Sequence, residues 1–391
     1  MPLFGKKKRS AVGLDIGHST VKGIELSGTP GALVVDRFGS TTVDEPIDSA
    51  KRGEAIVRAV QRLFAEAGFT TKRVVAAVNG ESVIVRVIRL PYFSDKEKEQ
   101  LDFAVRAEAQ DFIPFDIEDV AFDYQRLGVV EEGPEGKALE VLIVAAQKDL
   151  VHWHTEVLRA AGLDPRIMDV GSFALVNAVH HGAQMTPSRP VALVDIGSSL
   201  TNIAIMKGET TRFTRDLSTA GNTITRAIMN ELRCDEEKAE SAKAEFGISL
   251  ENGKEAEEEI LTISQSNLTE MMEDINAGDS GAASTAADQQ VNAICEQFLG
   301  EIVSEIKRCL LFYENQLDGE AVDRIFLTGR TVQMKNADRY IAGLLDVPVE
   351  ILDPFKGVSG RIASLDPITR GATYSVSLGL ALRSVIGGGV Q

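Results

Sequence analysis

The chain is poor in the residues that staple or metallate a fold: 391 residues contain three cysteines, five histidines and one tryptophan. Cys234, Cys295 and Cys309 are odd in number and form no close pair, which argues against a disulfide framework or a zinc site and points to a reducing cytoplasm. His152 and His154 flank Trp153 on an expected helix, where positions i and i+2 face different ways and cannot share a metal, so both read as solvated or half-buried. No apolar run approaches the roughly 20 residues of a membrane span. The opening Met1 to Arg9 resembles the basic start of a signal sequence, but the next apolar run is broken by Asp15, His18 and Lys22 and lacks a cleavage site, so it is expected to stay in place. Lys6 to Arg9 read as a solvated terminus. Basic residues are outnumbered, 41 Lys and Arg against 58 Asp and Glu, for a net charge of -17. The acidity concentrates between Cys234 and Asp274, and long-range repulsion removes nucleic acid from the candidate partners.

What remains is ordinary soluble composition, 44% hydrophobic and 25% charged, in a chain long enough for two domains or one bilobed unit. One pattern occurs twice. Val12-Gly-Leu-Asp15-Ile-Gly17-His18-Ser19-Thr20-Val-Lys22 returns as Val191-Ala-Leu-Val-Asp195-Ile-Gly197-Ser198-Ser199-Leu-Thr201-Asn202. Each copy is an apolar run, Asp-Ile-Gly, small hydroxylated residues and a second apolar run, which reads as a β-hairpin whose turn exposes backbone N–H groups to an anion. Two such hairpins about 180 residues apart imply a duplicated fold with facing halves. A phosphate chain fits between them, the amides offsetting its charge and the two Asp side chains holding a divalent cation through its waters.

In chain order, a strand at Leu33–Phe38 and an amphipathic helix at Gly53–Gly68 follow the first hairpin. Arg73–Val78 and Ser82–Leu90 read as strands joined by the Asn79-Gly80 turn, a hairpin signal. A helix opening after Ser94, two further strands and a helix over Asp149–Ala161 complete an expected self-contained insert. Beyond the second hairpin, Asn222 or Thr223 is expected to cap a helix, and the biased stretch Asn276–Asp288 reads as a mobile loop. A helix from Val291, a strand ending at Thr328-Gly329-Arg330, the strand Val347–Leu352 and a small-residue helix within Pro367–Arg383 close the chain. The last should cover a sheet of the first half.

Four stretches together resemble the actin-like ATPase superfamily: Asp15 to Lys22, Asp195 to Thr201, Ala239-Glu240-Ser-Ala-Lys243, and Leu327-Thr-Gly329-Arg330. The position of the insert resembles that of the cell-division FtsA branch. Within that branch Leu3-Phe-Gly-Lys-Lys-Lys, Arg106-Ala-Glu-Ala-Gln-Asp-Phe-Ile-Pro-Phe115, Ala160-Ala-Gly-Leu163 and Val347-Pro-Val-Glu-Ile-Leu-Asp-Pro-Phe355 resemble the type IV pilus assembly PilM family. The resemblance implies an α/β, duplicated actin-like (ribonuclease H-like) two-lobed fold with an FtsA-like α/β subdomain inserted in the first lobe. The expected boundaries are 1–72 for the first lobe, 73–165 for the insert, 166–189 for the return to the first lobe and 190–234 for the second lobe. Residues 235–320 form a helical nucleotide-capping subdomain, 321–366 the return to the second lobe, and 367–391 a C-terminal helix on the first lobe.

The resemblance also implies roles. Asp15 and Asp195 order hydrated Mg2+; Gly17, His18, Ser19, Thr20, Gly197, Ser198, Ser199 and Thr201 surround the phosphates of ATP; Lys22 reaches a β- or γ-phosphate. Glu240 and Lys243 meet the ribose and adenine edge with Gly221 and Asn222 nearby, or are a plain i, i+3 surface pair; both readings stand. Gly329 and Arg330 form the adenosine turn, where Arg330 replaces a common second glycine and either crowds the base or stacks on it. The first turn of the helix at Ser172 offers no Gln or Glu to orient water, so any ATPase activity is expected to be slow.

The implied function is a cytoplasmic scaffold of the pilus inner-membrane platform, in pilus biogenesis and twitching motility. It clasps the cytoplasmic tail of PilN on the insert, and assembly or retraction ATPases and the platform protein are further partners. The run Ile386–Gln391 cannot form an amphipathic membrane helix, so attachment is expected through partners. Two alternatives stay open: a filament-forming FtsA-like protein, which shares nearly every residue above, and a small-molecule kinase of the same superfold, which would need a general base beside a substrate pocket.

Overall fold

The computed structural model describes residues 11–29, 31–45, 49–131, 136–249, 280–315, 320–364 and 371–386. The first half opens with β1 (Ala11–Ile16), β2 (Thr20–Thr29) and β3 (Ala32–Thr42), then α1 (Arg52–Ala67) and β4 (Arg73–Val78). Next come β5 (Val83–Pro91), α2 (Lys98–Ala109), β6 (Val120–Glu131), β7 (Lys137–Gln147), α3 (Lys148–Ala160), β8 (Asp164–Val170) and α4 (Gly171–Asn177). The second half holds β9 (Val191–Ile196), β10 (Thr201–Lys207), β11 (Thr210–Leu217), α5 (Gly221–Leu232), α6 (Glu236–Phe246) and α7 (Ser280–Tyr313). It continues with β12 (Arg324–Thr328), α8 (Ala337–Leu344), β13 (Val349–Ile351), β14 (Val358–Gly360) and α9 (Ser375–Ile386).

These strands form three sheets, ordered β14-β3-β2-β1-β4-β8, β11-β10-β9-β12-β13 and β5-β7-β6. The first two share one plan: an antiparallel meander, β1-β2-β3 or β9-β10-β11, followed by strands parallel to its first member. Their central strands are nearly all apolar because helices cover both faces. On one face of the first sheet, α1 inserts Ile56, Val60 and Leu63, with Val157 and Leu158 of α3 beside them. On the other, α4 and α9 lie between the two sheets, packing Leu175 and Leu380 with Val75 of β4 and Leu193 of β9 in one core. Burying each such side chain contributes on the order of 1.5–3 kcal/mol, so the lobes are joined by shared packing. The small residues of α9 allow this: a Cβ on Gly379 would lie 1.8 Å from the Ala174 carbonyl oxygen.

Several expectations are corrected by the topology. The Asn79-Gly80 signal does not close a hairpin, because β4 pairs in parallel with β1 and β8 while β5 pairs with β7 in another sheet. The Asn79 side chain instead accepts the Gly171 N–H at 3.1 Å, and the Gly80 N–H reaches Asp216 on β11. The expected insert, 73–165, therefore narrows to the β5-β7-β6 sheet and α2, since β4 and α3 build the first lobe. Similarly β14, inside the expected second-lobe return, pairs with β3 of the first lobe. Neither Asn222 nor Thr223 caps α5: Ala220 is at its N-cap, and its first amides donate to the Gly197 and Ser198 carbonyls. The Asn276–Asp288 loop falls outside the described residues as far as 279, and from Ser280 the chain is helical, in a stretch with four alanines before Asp288. Lys6 to Arg9 and the run after Ile386 lie outside the described residues.

Candidate functional site

The two turns repeat in detail. Gly17 N–H donates to the Thr20 carbonyl at 3.0 Å, and Gly197 N–H donates to the Leu200 carbonyl at 3.0 Å. Register then sets what faces each Asp across its hairpin: Lys22 opposite Asp15, and Asn202 opposite Asp195. Lys22 Nζ lies 3.2 Å from Asp15 Oδ2, whereas Asn202 turns its amide to Asp216 on the next strand. The duplicated frame thus carries one ammonium and three carboxylates, and it faces a cleft of about 640 Å³ between the lobes. That volume falls within the roughly 300–1,000 Å³ usual for small-molecule sites.

Electrostatics follow from this shortage of cations. Burial pulls Lys22 down, but Asp15 and Asp195 outweigh it and hold its pKa above the ordinary value. Asp195 is pushed up to about 6, first by burial, with Lys22 opposing and Asp15 and Asp216 adding repulsion. Burial also raises Asp216, against the bonds it accepts from Gly80 and Asn202. Two acidic side chains share one lysine, so the site fits a further cation. Among the described residues no group of three or more His, Cys, Asp or Glu could hold a metal ion.

Of the predicted residues, Asp15, Gly17, His18, Thr20, Lys22, Asp195, Gly197, Ser198, Ser199, Gly329 and Arg330 line this cleft. Gly221, Glu240 and Lys243 do not; with Ser198 and Arg330 they line a separate recess of about 120 Å³ next to it. Ser19, Thr201 and Asn222 line neither. The Ser19 carbonyl accepts from Val43 N–H, the Thr201 hydroxyl donates to the Thr219 carbonyl at 2.8 Å inside the sheet, and Asn222 donates to Ser199 Oγ at 3.4 Å. Gly329 is required by close approach: its φ is +93°, and a Cβ there would stand 2.3 Å from Asp195 Oδ1.

The structure adds residues that the motifs left out. Arg52, buried at the start of α1, donates to the Gly17 and His18 carbonyls and so braces the first turn. Thr331 Oγ1 does the same for the second, donating to the Gly197 carbonyl at 3.0 Å. Asn79, Trp153 and His154 also line the cleft, and burial holds the His154 pKa at about 4, so this imidazole is neutral.

Facing turns on a duplicated sheet, with both lobes around one cleft, define a two-lobed protein of the actin-like fold. The family described as type IV pilus assembly protein PilM matches residues 13–277, more than half of the chain, and the chain belongs to that family. The family described as cell division protein FtsA matches residues 192–379. A curated relative, the cell division protein FtsA of Bacillus subtilis (strain 168), is 24% identical over 259 residues, 60% of this chain; the match spans 58% of that protein's length. Among solved structures, a PilM-PilN type IV pilus biogenesis complex is 27% identical, with TM-score 0.75 over 96% of this chain and 98% of that one. The ethanolamine utilization protein EutJ from Carboxydothermus hydrogenoformans shares the fold at 13% identity, with TM-score 0.50 over 98% and 91% of the two chains.

Proposed function

We propose that this protein is a cytoplasmic scaffold of type IV pilus assembly that closes its cleft on magnesium-ATP and binds the cytoplasmic N-terminal tail of PilN. The observation that carries the nucleotide reading is the hydrogen bond repeated at Gly17 and Gly197, which closes two like turns that line one cleft beside Asp15, Lys22 and Asp195. The turn amides and Lys22 bind the phosphates, and Asp15 and Asp195 hold the waters of Mg2+. When bound, the ion neutralises phosphate charge. The first turn of α4, Gly171-Ser172-Phe173-Ala174, presents no carboxylate or amide side chain to orient water, so turnover falls below the roughly 1–10³ per second of typical enzymes.

The partner reading is supported by family membership and by likeness to the PilM-PilN complex. The tail's apolar anchors seat where the insert meets the lobes, in a depression of about 80 Å³ edged by Tyr124, Leu142, Phe173 and Arg383. No helix among the described residues is long and apolar enough to cross a membrane, and the scaffold reaches the inner membrane through this partner. Assembly or retraction ATPases and the platform protein dock as further components.

Calorimetry tests both parts. Magnesium-ATP should bind the wild type and bind Asp195→Ala more weakly; equal affinities would reduce the cleft to an inherited feature. A synthetic PilN tail should bind the full chain and lose affinity with Phe173→Asp; unchanged binding would move the partner surface elsewhere.

A further inference from the structure

The recess beside the cleft contains three charged side chains, and they are not equally available. Lys243 is almost enclosed, and its ammonium has three donors. All three are in use: one meets Glu240 Oε1, one lies 2.7 Å from Thr225 Oγ1, and one is 3.4 Å from the Gly221 carbonyl. Glu240 Oε1 is likewise occupied, by Lys243 and the Thr225 hydroxyl. Lys243 therefore positions Glu240 and has nothing left for a ligand.

Arg330 differs. Its side chain is 45% exposed, and its described contact is one pair, Nη2 to Glu240 Oε2 at 3.5 Å. An exposed pair at that distance contributes little to stability. Arg330 and Ser198 line both the cleft and the recess, and Gly329 anchors the Arg330 backbone against Asp195. At about 120 Å³ the recess falls below the volume of sites that enclose small molecules, and Arg330 stands on its boundary with the cleft.

Building on the nucleotide reading, we propose that Arg330 determines specificity for the base: it leaves Glu240, opens the recess to the nucleoside and lays its guanidinium plane against the purine face. A planar delocalised cation stacks where an ammonium cannot, and the larger ring offers more surface. The carboxylate oxygen released, Glu240 Oε2, becomes free to accept from the nucleoside, while Lys243 holds the other oxygen. Phosphate binding does not involve Arg330 in this arrangement, because the two turns and Lys22 supply it.

The test compares magnesium-ATP, magnesium-UTP and magnesium-tripolyphosphate on the full-length wild type, Arg330→Ala and Arg330→Lys. Arg330→Ala should lose about 3- to 10-fold in ATP affinity, lose less for UTP and leave tripolyphosphate unchanged. Arg330→Lys should fail to restore ATP binding. Equal or tighter ATP binding by Arg330→Ala, or an equal loss for tripolyphosphate, would overturn the assignment; the second result would make Arg330 a phosphate ligand. A wild type that bound neither ATP nor tripolyphosphate would instead remove the nucleotide reading itself, so the two failures are distinguishable.

Discussion

Arg212 on β11 places its Nη1 2.8 Å from Glu140 Oε2 on β7, so a second-lobe strand grips the sheet of the insert. Arg89, directly opposite Glu140 on β5, meets the other carboxylate oxygen at 3.0 Å. Four residues along β11, Asp216 accepts the Gly80 N–H at the root of the insert and lies close enough to Asp195 to raise its pKa. One strand thus lies beside Asp195 of the cleft and also grips the subdomain proposed to carry the partner. Under the proposed function, a shift of β11 on cleft closure would have a direct route to the insert, a physical means of coupling the two proposed binding events.

Removing Arg212 should loosen this clasp. Arg212→Ala is expected to lower unfolding stability by about 1–3 kcal/mol, because Glu140 is almost fully buried and keeps Arg89 alone. Burial raises the Glu140 pKa, but Arg212 and Arg89 outweigh it and the net shift is downward. The pair's contribution is therefore fully present above the ordinary carboxylate value of 4.5 and lost as pH falls below it. Urea titrations at pH 7 and pH 4 check this: the gap between wild type and variant should shrink at the lower pH.

Asp195 should govern pH dependence in the opposite sense. Its folded pKa of about 6 is above the ordinary 3.8, so its ionised form opposes folding at neutral pH; this penalty shrinks as pH falls below 6 and is gone below 3.8. Asp195→Asn should stabilise the ligand-free protein by ~1–3 kcal/mol while weakening magnesium-ATP binding. Wild-type affinity should fall by roughly tenfold per pH unit below 6, and the variant's profile should be flatter. Thermal melts with and without nucleotide between pH 5 and 8 measure both; a destabilised Asp195→Asn would contradict the repulsion described.

Gly329→Ala is expected to be damaging without removing any side chain. The new Cβ meets Asp195 Oδ1 and the Ile196 carbonyl at 2.3 and 2.5 Å, in a backbone conformation that costs other residues ~1–3 kcal/mol. Both stability and nucleotide binding should fall. Gly343→Ala, inside α8 with nothing within 4 Å of the added carbon, is the control and should stabilise by about 0.5–1 kcal/mol. Melts of the two variants side by side distinguish crowding at the site from a general effect of replacing glycine.

The sequence by itself determined the duplicated hairpins and the identity of the side chains at their turns, because strand alternation and Asp-Ile-Gly spacing are local properties that survive in one dimension. Asp15, Lys22 and Asp195 were legible for that reason. Only the tertiary structure decided how the elements were shared out. Asn79-Gly80 has the composition of a hairpin turn, yet β4 found parallel partners in β1 and β8, and no local signal competes with two flanking strands. Nor could spacing reveal that Lys243 spends its donors inside the protein, that Arg52 braces a turn 34 residues before it, or that Asp216 raises Asp195 from another strand. Those relationships come from chain segments brought together by packing, where burial strengthens each charge interaction that remains.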